Sequence, residues 1–218
     1  MQVLLDLDGT LIDPRIGVIA SIQYALERLG HPVPPAVELV WMIGPPLRVS
    51  FPKLLGRFDL TEAAVAHYRE HYLAGGMYQA RVYAGIPEAL EALARGGCRL
   101  ILATSKPHHY ARPILEHFAL ADRFAAIHGP ELDGRRDAKT ELIAHILATH
   151  RLAARATVMV GDRDFDVLGA RNNGIASIGV AWGYGSVAEL KAAGAGAICQ
   201  APCELAGAVL ATAPRDRG

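Results

Sequence analysis

Short runs of apolar and β-branched residues alternate with stretches of helical periodicity, and this alternation restricts the fold more than any other feature of the chain. The runs are Val3–Leu7, Arg99–Ala103, Phe124–Ile127, Thr157–Val160, Ala176–Val180 and Ala197–Cys199. Between the later ones, Ile86–Arg95, Pro107–Phe118, Lys139–Thr149, Asp164–Asn172 and Val187–Ala193 can each form an amphipathic helix. Strand alternating with helix builds a parallel sheet covered on both faces. Near-continuous apolar runs, rather than alternating ones, agree with burial on both sides. The expectation is a doubly wound α/β core.

Residues 15 to 82 break the pattern. Val18, Ile22, Ala25, Leu26 and Leu29 recur at helical spacing, Gly30 is placed to end that helix, and His31-Pro32-Val33-Pro34-Pro35 cannot continue it. A second helix is expected over Leu47–Leu55, after the Gly44-Pro45-Pro46 turn. A third starts near Asp59, with Glu62 as a capping-box partner, and stops at Gly75-Gly76. The expected organisation is a catalytic core of residues 1–14 and 83–218, with an all-helical cap inserted at 15–82.

Composition excludes several classes. The chain has 218 residues, 51% apolar and 20% charged, which suits a folded globular protein rather than a disordered one. Twenty-two basic residues balance 22 acidic ones, so no long-range field draws the chain to nucleic acid or anionic membrane. The Arg135-Arg136 pair reads as a solvated loop. No apolar run is long enough to span a bilayer. The N-terminus lacks a basic segment, and Asp6 and Asp8 interrupt its apolar run, so it does not read as a signal peptide. Cys98, Cys199 and Cys203 are too few for a disulfide framework; Cys199 and Cys203 read as small buried hydrophobes in a reducing cytoplasm.

The chemistry-bearing residues fall at strand ends. Asp6 and Asp8 close the first apolar run, and Gly9-Thr10 turns the chain so that both acids stand at a loop lip. Carboxylates beside a hydrophobic strand are costly unless paired. A chemical role accounts for them: one acid attacks, the other moves a proton, and a cation holds the charges together. In open α/β sheets, ligands bind beyond the carboxyl ends of the strands. The second run delivers Thr104-Ser105-Lys106 to that edge, and the fourth delivers Asp162, with Asp166 four residues on. Lys139 opens the helix before the fourth strand and can reach the same edge.

These four motifs, in this order, resemble those of the haloacid dehalogenase superfamily of aspartyl-phosphate-forming phosphotransferases. Asp6-Leu7-Asp8-Gly9-Thr10-Leu11 is similar to the first motif, Thr104 to the second, Lys139 to the third, and Gly161-Asp162-Arg163-Asp164-Phe165-Asp166 to the fourth. The resemblance spans essentially the whole chain, and the helical insertion is similar to the cap of the phosphoglycolate-phosphatase-like branch. It implies that Asp6 is the nucleophile and Asp8 the proton shuttle. It implies Mg2+ held by an Asp6 oxygen, the Asp8 backbone carbonyl and Asp162, with Asp166 one step behind. Thr104 or its neighbour Ser105 donates to a phosphoryl oxygen, and Lys139 neutralises phosphate and nucleophile. Having Asp8 separates the chain from the dehalogenases, which lack that acid, and the ion pumps, which carry threonine there.

The implied activity is Mg2+-dependent hydrolysis of a small phosphorylated metabolite, phosphoglycolate first. A 5'-nucleotidase or sugar-phosphate phosphatase follows as an alternative, and then a phosphomutase. Protein-tyrosine phosphotransfer and an inactive regulatory protein stand further off. So does a zinc peptidase, suggested by His67-Tyr68-Arg69-Glu70-His71, whose histidines are expected on the polar face of their helix. Arg48 reads either as a reader of a substrate anion or as a solvated helix-start arginine, and Lys106 is equally two-sided. Trp182-Gly183-Tyr184-Gly185 reads as a glycine-permitted loop, an active-site wall or a dimer contact.

Overall fold

The computed structural model describes residues 1–213. The chain forms two compact units, one of Met1–Ile12 with Val82–Gly218 and one of Asp13–Arg81. Its strands are β1 (Gln2–Leu5), β2 (Ile12–Asp13), β3 (Arg81–Val82), β4 (Arg99–Ala103), β5 (Ala126–His128), β6 (Thr157–Gly161), β7 (Ala176–Val180) and β8 (Ala197–Cys199). Its α-helices are α1 (Arg15–Arg28), α2 (Leu47–Leu55), α3 (Thr61–Leu73), α4 (Ile86–Arg95), α5 (His108–His117), α6 (Lys139–His150), α7 (Asp164–Asn172), α8 (Val187–Ala193) and α9 (Leu205–Ala211). None of the described helices is long and apolar enough to cross a membrane.

In the first unit, six parallel strands form one sheet in the order β5-β4-β1-β6-β7-β8. Leu5 lies opposite Leu102 on one side and Val160 on the other, so β1, β4 and β6 end level with one another. The chain winds from β1 outward through β4 and β5, then returns to the other side of β1 with β6. The switch between β1 and β6 leaves a crevice at their carboxyl ends, where ligands collect in such sheets. Alternate residues serve opposite faces. Leu4, Ile101, Ala103 and Met159 pack against Leu142, Ile143 and Ile146 of α6 and Ala170 of α7. Val3, Leu5 and Leu102, between them in the strands, are equally inaccessible. Each such leucine or isoleucine contributes about 1.5–3 kcal/mol by burial, which is why the strands tolerate no polar face.

β1 ends at Leu5, two residues before the apolar run does. The Leu7 carbonyl accepts from the amides of Thr10, Leu11 and Ile12 at 3.3, 2.8 and 3.1 Å. That turn replaces further ladder bonds and lets Gly9 take a left-handed φ of 83°. Cys98 and Cys199 are buried as small hydrophobes, but Cys203 is exposed, because it sits in the 3-10 turn Pro202–Glu204 after β8.

At the end of β5, His128 Nε2 lies 2.8 Å from His150 Nε2, and the His145 ring is 5.8 Å from the His128 ring, centre to centre. Burial first, then the neighbouring His150 and His145, push His128 down to about 4. A histidine held neutral in the fold loses ground when the unfolded chain can take the proton, so stability falls as pH drops from about 6.5 toward 4. The melting temperature of a His128→Asn variant should change less over that interval than the wild type. Parallel curves would show that this cluster does not govern acid stability.

In the second unit, α1 buries Val18, Ile19, Ile22, Ala25 and Leu26, and α3 buries Ala64, Val65, Tyr68 and Tyr72. The Tyr68 and Tyr72 rings stack 5.2 Å apart, and Phe51 of α2 meets Tyr68 edge-on. A 3-10 helix, Ala36–Met42, follows the proline run and has no counterpart among the sequence expectations. The capping box expected at Asp59 does not form. The helix starts at Thr61 without a side-chain cap, Asp59 pairs with Arg57, and Glu62 pairs with Arg48. His71 does not share a polar face with His67. Its Nδ1 is 2.9 Å from the buried Ser21 hydroxyl of α1, whereas His67 faces Glu70, so the two rings do not converge on a zinc ion.

Candidate active site

The carboxyl ends of β1, β4 and β6 and the start of α6 bring the expected acids and lysine together. Asp6 follows β1 directly, and its amide donates to the Val160 carbonyl at 3.0 Å, which continues the ladder by one bond and sets the acid beside the end of β6. Lys139, the first residue of α6, reaches over this edge. Its Nζ lies 2.9 Å from Asp6 Oδ1 and 2.7 Å from Asp166 Oδ1, and it donates to the Ala103 carbonyl at 2.8 Å. Asp6, Lys139, Asp162 and Asp166 are all at most 5% exposed. One carboxylate oxygen from each of Asp6, Asp162 and Asp166 lies within 4.8 Å of the others.

Asp8 belongs to a different pair. Its Oδ2 is 2.7 Å from Lys106 Nζ, so the two acids of the first motif have separate cationic partners. Thr104 is buried after β4, and its Oγ1 accepts the Lys106 amide at 3.1 Å. A hydroxyl that already accepts retains its proton for donation. Ser105 is partly exposed in the same turn. Arg48 lies in the helical unit, where its Nε and Nη2 donate to the two carboxylate oxygens of Glu62, at 2.7 and 3.0 Å.

The model for haloacid dehalogenase-like hydrolases matches residues 3–180, which include all of these core residues. The chain belongs to that family. It is a phosphatase within it, a phosphoric monoester hydrolase by the relatives it matches. It is 52% identical over 88% of its length to a 5'-nucleotidase of Pseudomonas aeruginosa, of which the match covers 87%. It is 40% identical over 84% of its length to the tyrosine-protein kinase PtkA of Mycobacterium tuberculosis, but spans only 62% of that protein. Against a phosphoglycolate phosphatase of Agrobacterium fabrum it is 34% identical, with 84% and 81% covered. A crystal structure of a predicted phosphatase from Clostridium acetobutylicum superposes with a TM-score of 0.93 at 39% identity, covering 96% of this chain and 98% of that one.

The electrostatics of this hydrolase site call for a cation. Asp6, Asp162 and Asp166 set against Lys139 leave two negative charges without a counterpart among these four buried groups. Burial first, then the charges of Asp166 and Asp6, raise Asp162 well above the usual carboxylate range. Burial likewise raises Asp166 to about 7, against the pull of Lys139. Desolvation opposes the Lys139 ammonium, yet Asp166 and Asp6 outweigh it and raise that lysine. Asp162 Oδ1 is buried without a hydrogen-bond partner, as are Asp8 Oδ1 and Thr10 Oγ1. An all-oxygen donor set with two surplus negative charges suits a hard divalent ion such as Mg2+. Asp166 fits a supporting place, since one oxygen meets Lys139 and the other accepts the Arg163 amide at 3.2 Å.

Two features were not assigned from the sequence. The first is the Lys106–Asp8 pair: nothing in the spacing distinguishes a lysine that folds back onto Asp8 from one that points to solvent. The second is the Tyr184 amide, which donates to Asp162 Oδ2 at 2.7 Å. Backbone donors leave no residue-type signal, although the glycines around Tyr184 mark a close backbone approach.

Proposed function

We infer that this phosphatase hydrolyses nucleoside 5'-monophosphates with Mg2+ through an aspartyl-phosphate on Asp6. The observation that carries the mechanism is the buried cluster of Asp6, Asp162 and Asp166 around Lys139, with its surplus of negative charge. Asp6 attacks phosphorus, and the bond to the leaving oxygen breaks. Asp8 gives that oxygen a proton. Burial raises Asp8 despite the neighbouring Lys106, which favours its acid form. In the second half, Asp8 takes a proton from water, the water oxygen attacks phosphorus, and the bond to Asp6 breaks. Thr104 donates to a phosphoryl oxygen and Lys139 screens its charge. Asp6, the Asp8 carbonyl and Asp162 would hold Mg2+, which supplies neutralisation of phosphoryl charge.

The substrate class rests on the 52% identity to a protein named 5'-nucleotidase. Phosphoglycolate is the second reading, from the phosphoglycolate phosphatase relative. It calls for a cation to meet the glycolate carboxylate, and the Arg48 guanidinium is engaged by Glu62. The three cysteines are unbridged, in keeping with a cytoplasmic location.

Phosphate release from a panel of nucleoside 5'-monophosphates, phosphoglycolate, sugar phosphates and a phosphotyrosyl peptide tests the assignment. A nucleoside 5'-monophosphate should lead in kcat/KM by about tenfold or more. EDTA should silence the enzyme and Mg2+ restore it. Phosphoglycolate in the lead would reverse the substrate order. ATP-dependent tyrosine phosphorylation without release of phosphate from any monoester would replace the hydrolytic reading altogether.

A further inference from the structure

The segment between β7 and α8 touches both acidic strand ends, although none of its side chains takes part in the chemistry above. Trp182 Nε1 donates to the Thr10 carbonyl at 3.0 Å, on the turn that carries Asp8. Two residues on, the Tyr184 amide holds Asp162 Oδ2. Between them, a Cβ on Gly183 would overlap the Asp162 side chain and the Gly9 carbonyl oxygen. A Cβ on Gly185 would overlap the Asp162 carbonyl oxygen, and one on Gly9 would overlap the Asp162 carboxylate. Gly183 has no left-handed φ, so its glycine answers close approach rather than backbone conformation.

We propose that Trp182-Gly183-Tyr184 is a strap that presets the cation pocket, with Trp182 as the positioning residue that anchors it. The proposal rests on the cation reading given under Proposed function. Asp162 sits among like charges that favour its turning away. With Oδ2 tied to the Tyr184 amide, the carboxylate has one orientation, and Oδ1 is left for a ligand. The indole is a donor with no acceptor capacity, so its bond to the Thr10 carbonyl fixes where the strap lies. Through that bond, the strap sets the spacing between the turn that bears the Asp8 carbonyl and the acid at the end of β6. A phenylalanine would fill similar space without tying the two together.

Mg2+ titrations followed by thermal denaturation, with kcat and KM measured alongside, test this on the full chain. Mg2+ should raise the melting temperature of the wild type, and above its Kd the rise should follow the logarithm of the Mg2+ concentration, because the ion binds the folded state alone; Asp162→Asn should lose that response. Trp182→Phe should need about three- to tenfold more Mg2+ for the same rise over its own Mg2+-free melting temperature, the worth of one hydrogen bond. Its kcat at saturating Mg2+ should recover, and its substrate KM should stay unchanged. Gly183→Ala presses on Asp162 without altering the indole, and should raise the Mg2+ requirement at least as much. An unaltered Mg2+ requirement for that rise in both variants overturns the strap even if their Mg2+-free melting temperatures fall, since a merely structural role lowers only those. A wild type indifferent to Mg2+, or an Asp162→Asn variant that responds like it, overturns the cation reading and the strap with it.

Discussion

Asp6→Asn is expected to abolish phosphate release from an aryl phosphate, by about 10⁴-fold or more, while leaving the protein folded. Loss of an attacking group typically costs that much, because binding and charge stabilisation alone sustain only residual turnover. A carboxamide is nearly isosteric but cannot attack phosphorus. It also removes one of three carboxylates from a crowded, buried place, so the melting temperature measured without Mg2+ should hold or rise. Turnover near the wild-type level in a correctly folded Asp6→Asn protein would rule out the aspartyl-phosphate. Turnover lost together with the cooperative thermal transition would assign Asp6 a structural role instead.

Lys139→Met should produce the largest loss of stability, about 3–5 kcal/mol by chemical denaturation at neutral pH. It strips the counter-charge from Asp6 and Asp166 and leaves the Ala103 carbonyl without its Nζ–H donor. The loss should shrink under mild acid. Desolvation already raises Asp166 to about 7, and Lys139 is the main group holding it down. Without the lysine, the carboxyl titrates higher still in the fold than in the unfolded chain. The folded state then binds the extra proton, and stability is regained as pH falls. A deficit that is flat between pH 5 and 8 would contradict this account of the charge cluster.

How legible the site was depended on what kind of atom each part uses. Asp6, Asp8 and Asp162 announce themselves because charged side chains at the ends of apolar strands have no packing reason to be there, whereas Lys139, which opens α6, and Asp166, in the first turn of α7, are picked out by their place in the motif order. Thr104 is recognisable by its place after β4. Arg48 stood on residue type alone, and an arginine looks the same whether it awaits a substrate or grips Glu62. The expected cap of α3 failed for a similar reason: Glu62 had two possible partners, and the distant Arg48 won over the local backbone. His71 was assigned to a polar face by periodicity, but Ser21 on α1 gave its Nδ1 a partner that no pattern within α3 could reveal.

The amino-acid sequence by itself determined the parallel α/β core, because fully apolar strands separated by amphipathic helices have few other ways to bury both sheet faces. It also determined which acids stand at the strand ends, since their positions follow from where each apolar run stops. Only the tertiary structure decided how those groups pair: Asp6 with Lys139, Asp8 with Lys106, and Asp162 with the Tyr184 amide. Such pairings join residues far apart in the chain, and one partner is a backbone N–H common to every non-proline residue. They are settled by distances of a few ångströms across loops, where periodicity carries no information.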